Sequence, residues 1–232
     1  MSSNSNSRSN RRSNGNGSTP KKTSPKRLFW ICALLFVLIV TGGGCGFISA
    51  TLSNLPDVSN VRPSASSQIY DVHGNLITTV HSSENRLPIP LKDVPKDLQN
   101  AFVATEDSRF YTHHGIDPIG ILRAVWVNIV HSGVSEGGST ITQQLARNAF
   151  LSQDRTFKRK ISEALLALKI EQHYTKDEIL EMYMNQIYFG QGAYGVQSAS
   201  HVYFGKDASQ LTLAQAALIA GLPQSPNYYS PF

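Results

Sequence analysis

Two adjacent carboxylates, Glu106 and Asp107, open the decapeptide EDSRFYTHHG, with Arg109, His113 and His114 close behind. A carboxyl group at a partly buried helix end loses hydration, which raises its pKa and suits it to take a proton from a hydroxyl. The same residues would also serve as a plain polar helix terminus, and the decapeptide alone does not separate the two. The paired histidines do not make a metal site, because neighbouring imidazoles rarely aim at one ion and no further Cys/His cluster accompanies them.

Three later stretches add charge and hydrogen-bonding capacity. GGSTITQQLARN, Gly137 to Asn148, brings Ser139, Thr140, Gln143, Gln144 and Arg147 around a helix start. Free N–H groups there can hold an anion, or Ser139 can simply cap. RTFKRKISE follows at 155–163. Glu163 lies i+4 from Arg159 and i+3 from Lys160, so the three share a helix face. That face reads either as an exposed salt-bridged surface or as a basic platform for a pyrophosphate ordered by a carboxylate. In KDEILEMYMNQIYFGQGAYG, 176–195, Ile179, Met182, Tyr183 and Ile187 read as core, and Glu181 with Asn185 as a brace on one helix.

The elements that must hold these groups are mainly helical. A β-hairpin is expected over 67–80 around His73-Gly74. Leu98, Ala101, Phe102 and Thr105 follow the i, i+3, i+4, i+7 rule of a helix after Pro95. Asp117-Pro118 reads as a cap with a first-turn proline, opening the apolar stretch 119–130. Gly133 to Gly138 form a break, and Ser139 begins the next helix. A long helix is expected from about Thr156 to Tyr174. Thr175 to Glu178 has capping-box spacing, 189–195 is a glycine-rich turn, and a last helix runs over 213–220 from the Thr212 to Gln215 cap to Gly221. No internal repeat is found.

Of the 232 residues, 41% are hydrophobic and two are Cys, which excludes a disulfide scaffold and disorder throughout. The net charge is +5, yet residues 1–27 carry seven Lys or Arg and no acid, so the rest nets −2. The basic character belongs to a Ser/Asn/Gly-rich tail, and nucleic acid is not an expected partner. Residues 28–50 hold no charge and are long enough to cross a bilayer, which takes roughly 20 residues. Lys26 and Arg27 abut that run, so the tail is expected in the cytoplasm and the rest outside, at the plasma membrane with a single pass. A cleaved signal peptide fits less well, for want of a cleavage site directly after the run. Cys45 with Gly42 three residues before it does not fit a lipoprotein. Residues 51–66 read as a linker, and 67–232 as one exported domain that folds without disulfides.

In this order, the four segments resemble the peptidoglycan glycosyltransferase domain of class A penicillin-binding proteins, glycosyltransferase family 51. The family pattern is met at Glu106, Asp107, Phe110, His113 and Gly115, then at Gly137 and Ser139 through Leu145. It is met again at Arg159, Lys160 and Glu163, and at Ile179, Leu180, Glu181, Tyr183 and Asn185. YFGK at 203–206 and AGLPQSPNYYSP at 220–231 extend it. The resemblance implies a lysozyme-like fold with a large lobe and a small mobile jaw. It implies polymerisation of lipid II onto a growing glycan strand through an inverting β-1,4 bond, with undecaprenyl pyrophosphate leaving. Glu106 would be the catalytic base, and Glu163 would assist near the pyrophosphate, directly or by positioning cations or a metal. Arg147, Arg155, Arg159 and Lys160 would neutralise the pyrophosphate. Ser139, Thr140, Gln143 and Gln144 would line the donor site, and Asp107 and Phe110 would shape it around Glu106. No cofactor is required, though a divalent cation, Mg or Mn, is compatible with the leaving group.

The 119–130 stretch reads either as an apolar segment dipping into the bilayer or as an ordinary core helix. Cell-wall synthesis or division proteins are compatible partners. The sequence departs from the common pattern at Arg147, where Lys is usual, at Met184 for Leu, and at Gln215 for Glu. It stops at Phe232, before the Arg-Arg helix that usually closes the domain, so an incomplete domain without transpeptidase activity is expected. Two rivals remain. A lytic muramidase-type glycosidase is disfavoured by the basic residues at 155–160, and a non-catalytic membrane scaffold is disfavoured by intact Glu106 and Glu163.

Overall fold

A threonine followed three residues later by a side chain that reaches back starts three of the helices. Thr140 with Gln143, Thr175 with Glu178 and Thr212 with Gln215 are reciprocal capping boxes, each satisfying two backbone donors that a helix start leaves open. Thr156 caps a fourth helix through the Arg159 N–H.

The computed structural model describes residues 46, 49–59, 67–74, 76–80, 85–131, 137–152, 154 and 156–232. Met1–Ala50 and Thr51–Phe232 are separate units. In the first, Gly46, Ser49 and Ala50 are helical, while the basic tail and the rest of the expected 28–50 span lie outside the described residues. Among the described residues, no helix is long and apolar enough to cross a membrane.

In the second unit the order is β1 (Ser67–Tyr70), β2 (Leu76–Val80), β3 (Asn85–Arg86), α1 (Lys96–Glu106), α2 (Pro118–Val130), α3 (Ile141–Phe150), α4 (Phe157–His173), α5 (Lys176–Gln186), β4 (Ala193–Tyr194), α6 (Val196–Phe204) and α7 (Leu213–Gly221). The unit is mainly helical, as the periodicity predicts. β1 and β2 form the expected antiparallel hairpin, with Ser67 opposite Val80. The glycine-rich turn holds more than a turn: β4 pairs in parallel with β3, and the Arg86 guanidinium lies 5.1 Å from the centre of the Tyr194 ring.

The core forms where α1 meets α7 and where α3 meets α4 and α5. Phe102 sits edge-on to both Tyr183 and Phe189, with Leu98, Leu145, Leu166, Ile170, Ile179 and Met184 fully buried around them. Residues expected as a linker take part in this core. Val58 is buried, and the Tyr174 hydroxyl donates to its carbonyl at 2.8 Å, so the folded unit begins at Thr51 rather than at 67. The linker reading rested on polar composition. It missed Leu55 and Val58, which bury apolar surface.

Glu181 and Asn185 do not merely brace α5. Asn185 accepts the Ile89 N–H at 2.9 Å and donates to the Ile89 carbonyl at 2.8 Å, while Glu181 accepts the Leu91 N–H at 2.7 Å. Together they fasten the chain entering α1 to α5. Asn185→Ala is expected to lower stability by about 2–3 kcal/mol, because it strands both polar groups of Ile89 in a half-buried place. An unchanged urea midpoint would contradict this reading of the clamp.

Candidate active site

The C-terminus of α1 delivers Glu106, and the next residue decides what Glu106 faces. The Asp107 carboxylate is buried, accepts the Ile141 N–H at 3.0 Å and lies 2.9 Å from His113 Nε2. One side chain thus ties the end of α1 to the start of α3 and to the intervening loop. Thr140 Oγ1 closes the same corner by donating to the Gly115 carbonyl at 2.6 Å. Gly115 has φ +81°, and a Cβ there would stand 2.8 Å from the Ala167 carbonyl oxygen on α4. Only glycine meets both demands.

Glu106 is half-buried in the wall of a cavity of about 720 Å³. Burial pushes its pKa above the ordinary carboxylate value. A hydrogen bond from Gln144 and the charge of Arg147 work against that rise, and the neighbouring Asp107 adds to it. Gln144 Nε2 donates to Glu106 Oε2 at 2.7 Å. A carboxylate so placed is a competent general base.

Asp107, Ser139, Thr140, Gln144 and Arg147 join Glu106 on the cavity wall. Gln143 does not, since it is buried and engaged in the Thr140 capping box. Phe110 does not reach the wall either. It is wholly buried, edge-on to His113, with Lys176 Nζ 4.4 Å from its ring centre, so it supports Asp107 from behind. Arg155 lies outside the described residues.

Glu163, Arg159 and Lys160 form a cluster beside the cavity rather than on it. Glu163 is 1% exposed and pairs with Arg159 through one oxygen and with Lys160 at 2.9 Å through the other. Lys160 Nζ also donates to Ser139 Oγ at 2.7 Å, which connects the cluster to the cavity wall. Both Glu163 oxygens are held by cations, so this donor set does not fit a divalent metal ion. Among the described residues, no group of three or more His, Cys, Asp or Glu could hold one.

Two wall residues escape a sequence reading. Asp117 caps no N–H of α2 with its side chain, because the carboxylate is taken by Arg109 through two guanidinium nitrogens. Arg123 reaches the cavity from α2. A single cation within an otherwise apolar helix is the signal that could have found it. The other α2 side chains do not form a core helix. Only Gly120 and Ala124 are buried, and Leu122 and Trp126 are each 69% exposed and Ile129 68%.

A mainly helical unit thus gathers a half-buried carboxylate and two arginines around one cavity. The transglycosylase family model matches residues 73–232, and the chain belongs to that family. It is 49% identical over 208 residues to penicillin-binding protein 1A of Escherichia coli (strain K12), covering 88% of this chain and 24% of that one. It is 44% identical over 212 residues to penicillin-binding protein 1F of Bacillus subtilis (strain 168), covering 90% of this chain and 29% of that one. The chain therefore spans about a quarter of the length of these curated relatives. The crystal structure of penicillin-binding protein 1A from Haemophilus influenzae matches with 28% identity and a TM-score of 0.34, over 73% of this chain and 16% of that one.

Because burial raises the pKa of Glu106, the folded state holds its proton more tightly than the unfolded state does. Stability from this group is therefore present at acid pH and lost as pH rises through the raised value. Glu106→Gln should accordingly match the wild-type Tm at pH 4 and exceed it by about 1–3 °C at pH 7.5. A lower Tm for the variant at pH 7.5 would contradict the assignment of burial as the dominant influence.

Proposed function

We propose that this chain is a peptidoglycan glycosyltransferase, polymerising lipid II into β-1,4-linked glycan strands with release of undecaprenyl pyrophosphate. The observation that carries the reading is the raised-pKa carboxylate of Glu106 in one cavity with Arg123 and Arg147, in a member of the transglycosylase family. Glu106 takes the proton from the acceptor 4-hydroxyl as that oxygen attacks C1 of the lipid-linked sugar. The C1–O bond to the pyrophosphate breaks, and the leaving group departs with the electron pair. Arg147 and Arg123 offset the charge that grows on it. Ser139 lines the same wall, the Thr140 hydroxyl holds the Gly115 carbonyl behind it, and Glu163 acts indirectly, fixing Lys160 against Ser139.

In this reading the architecture is the lysozyme-like, two-lobed one. The enzyme sits in the plasma membrane, its catalytic part outside. The exposed apolar side chains of α2 enter the bilayer, where the polyprenyl chain of the substrate resides. An apolar surface of this kind on a folded unit calls for a nonaqueous partner.

Incubating the detergent-solubilised chain with labelled lipid II should yield long glycan strands on a gel. Glu106→Gln should reduce their rate of formation at least about 100-fold. Absence of strands from the wild type, or shortening of preformed glycan instead, would refute the proposal. The double variant Trp126→Ser, Ile129→Ser should raise the apparent KM for lipid II in liposomes about 10-fold while leaving kcat within about 2-fold. An equal loss with a water-soluble substrate analogue would argue against the membrane role.

A further inference from the structure

Tyr183 is 1% exposed and packs edge-on against Phe102, which accounts for its ring but not for its hydroxyl. That hydroxyl reaches Gln144 Oε1 at 3.3 Å, while the other end of the same amide, Nε2, donates to Glu106 Oε2 at 2.7 Å. We propose that Tyr183 is a positioning residue for the base: its phenol O–H fixes the Gln144 amide so that the NH2 end faces the Glu106 carboxylate. The inference rests on the function proposed above for Glu106.

The direction of the chain follows from donor and acceptor counting. An ionised carboxylate only accepts, so it needs the NH2 end of Gln144. An amide that turned over would aim its oxygen at the carboxylate, two acceptors facing each other at the site of the base. A phenol that donates to Oε1 holds the useful orientation. Burial and the nearby Glu106 charge keep the Tyr183 phenol protonated far above neutrality, so it remains a donor across the working range. In a phenylalanine variant nothing holds the amide oxygen, and the amide is free to turn. The Glu106 carboxylate then loses a hydrogen bond that stabilises its charged form, and its pKa climbs.

Glu106 feels charge from two neighbours. Arg147 comes from α3 and Asp107 from the end of α1, and Asp117 and Arg123 line the same cavity without acting on its charge. None of these touches Tyr183 by a hydrogen bond, so Tyr183→Phe removes one donor and leaves the charges in place. The substitution also keeps the ring that fills the core.

The test is the titration midpoint of the Glu106 side-chain carboxyl, followed by 13C NMR in the full detergent-solubilised chain and assigned with Glu106→Gln. In Tyr183→Phe the midpoint should rise by about 0.5–1 pH unit. The acid limb of kcat/KM with lipid II should move by the same amount, and the lost activity should return at alkaline pH. Gln144→Ala should raise the midpoint at least as far, and adding Tyr183→Phe to it should give no further rise. Ile179→Val, a core change on the same helix, should lower Tm without moving the midpoint. If Tyr183→Phe leaves the midpoint within about 0.2 unit, or if its shift adds fully to that of Gln144→Ala, the positioning role is refuted. The NMR midpoint reports on the Tyr183 to Gln144 to Glu106 chain even if the wild type polymerises nothing, so failure of the proposed function and failure of this inference are told apart.

Discussion

The buried carboxylate of Asp107 is the constraint on which the site depends. It ends α1 by accepting from the first turn of α3, 34 residues away, and holds His113 from the loop between. A buried carboxylate is tolerable only when its oxygens are satisfied, and here two donors converge on it. Because that bond sets α1 end-on to α3, the residue just before Asp107 lies within hydrogen-bonding distance of Gln144. Glu106 is placed by its neighbour, and its own hydrogen bond with Gln144 completes the arrangement. Gly115, the Thr140 hydroxyl and the wholly buried Phe110 are the supports behind this junction.

The charged residues divide into two groups with different physical roles. Glu163, Arg159 and Lys160 neutralise one another and make a stiff post beside Ser139. Arg147 and Arg123 open on the cavity, where an anion could meet them. A buried ion pair adds little net stability after desolvation, so the Glu163 cluster is better understood as fixing geometry than as holding the fold together. This separation also bears on the glycosidase alternative. Arg147, and neither Arg159 nor Lys160, is the cation that acts on Glu106.

Short-range chemistry was legible in the sequence, and long-range chemistry was not. The Thr175 and Thr212 capping boxes, the hairpin and the long α4 all follow from patterns spanning a few residues, and the structure has them within a residue or two, whereas the cap expected at Ser139 is made by Thr140. Asp117 misled because its nearest use, capping, lost to a bidentate pair with Arg109 eight residues earlier. Glu181 and Asn185 were recognised as motif positions, but their partners are backbone groups 90 and 96 residues away. Gln143 and Gln144 are adjacent and chemically identical, and helix geometry turns one to the capping box and the other to the base. Val58 shows the same limit, since nothing local distinguishes it from a linker residue.

The bond from Tyr174 to Val58 joins residues 116 positions apart, so the two ends of the core are made at different times. A ribosome adds roughly 5–20 residues each second, which leaves the 51–59 stretch waiting on the order of ten seconds for its partner. During that interval its apolar side chains have no core to enter, and α1 lacks the α5 residues that fasten its approach. The unit cannot close from its N-terminus as it emerges. Its order of assembly is set by the arrival of α4 and α5, and a chaperone would find the early segments exposed until then.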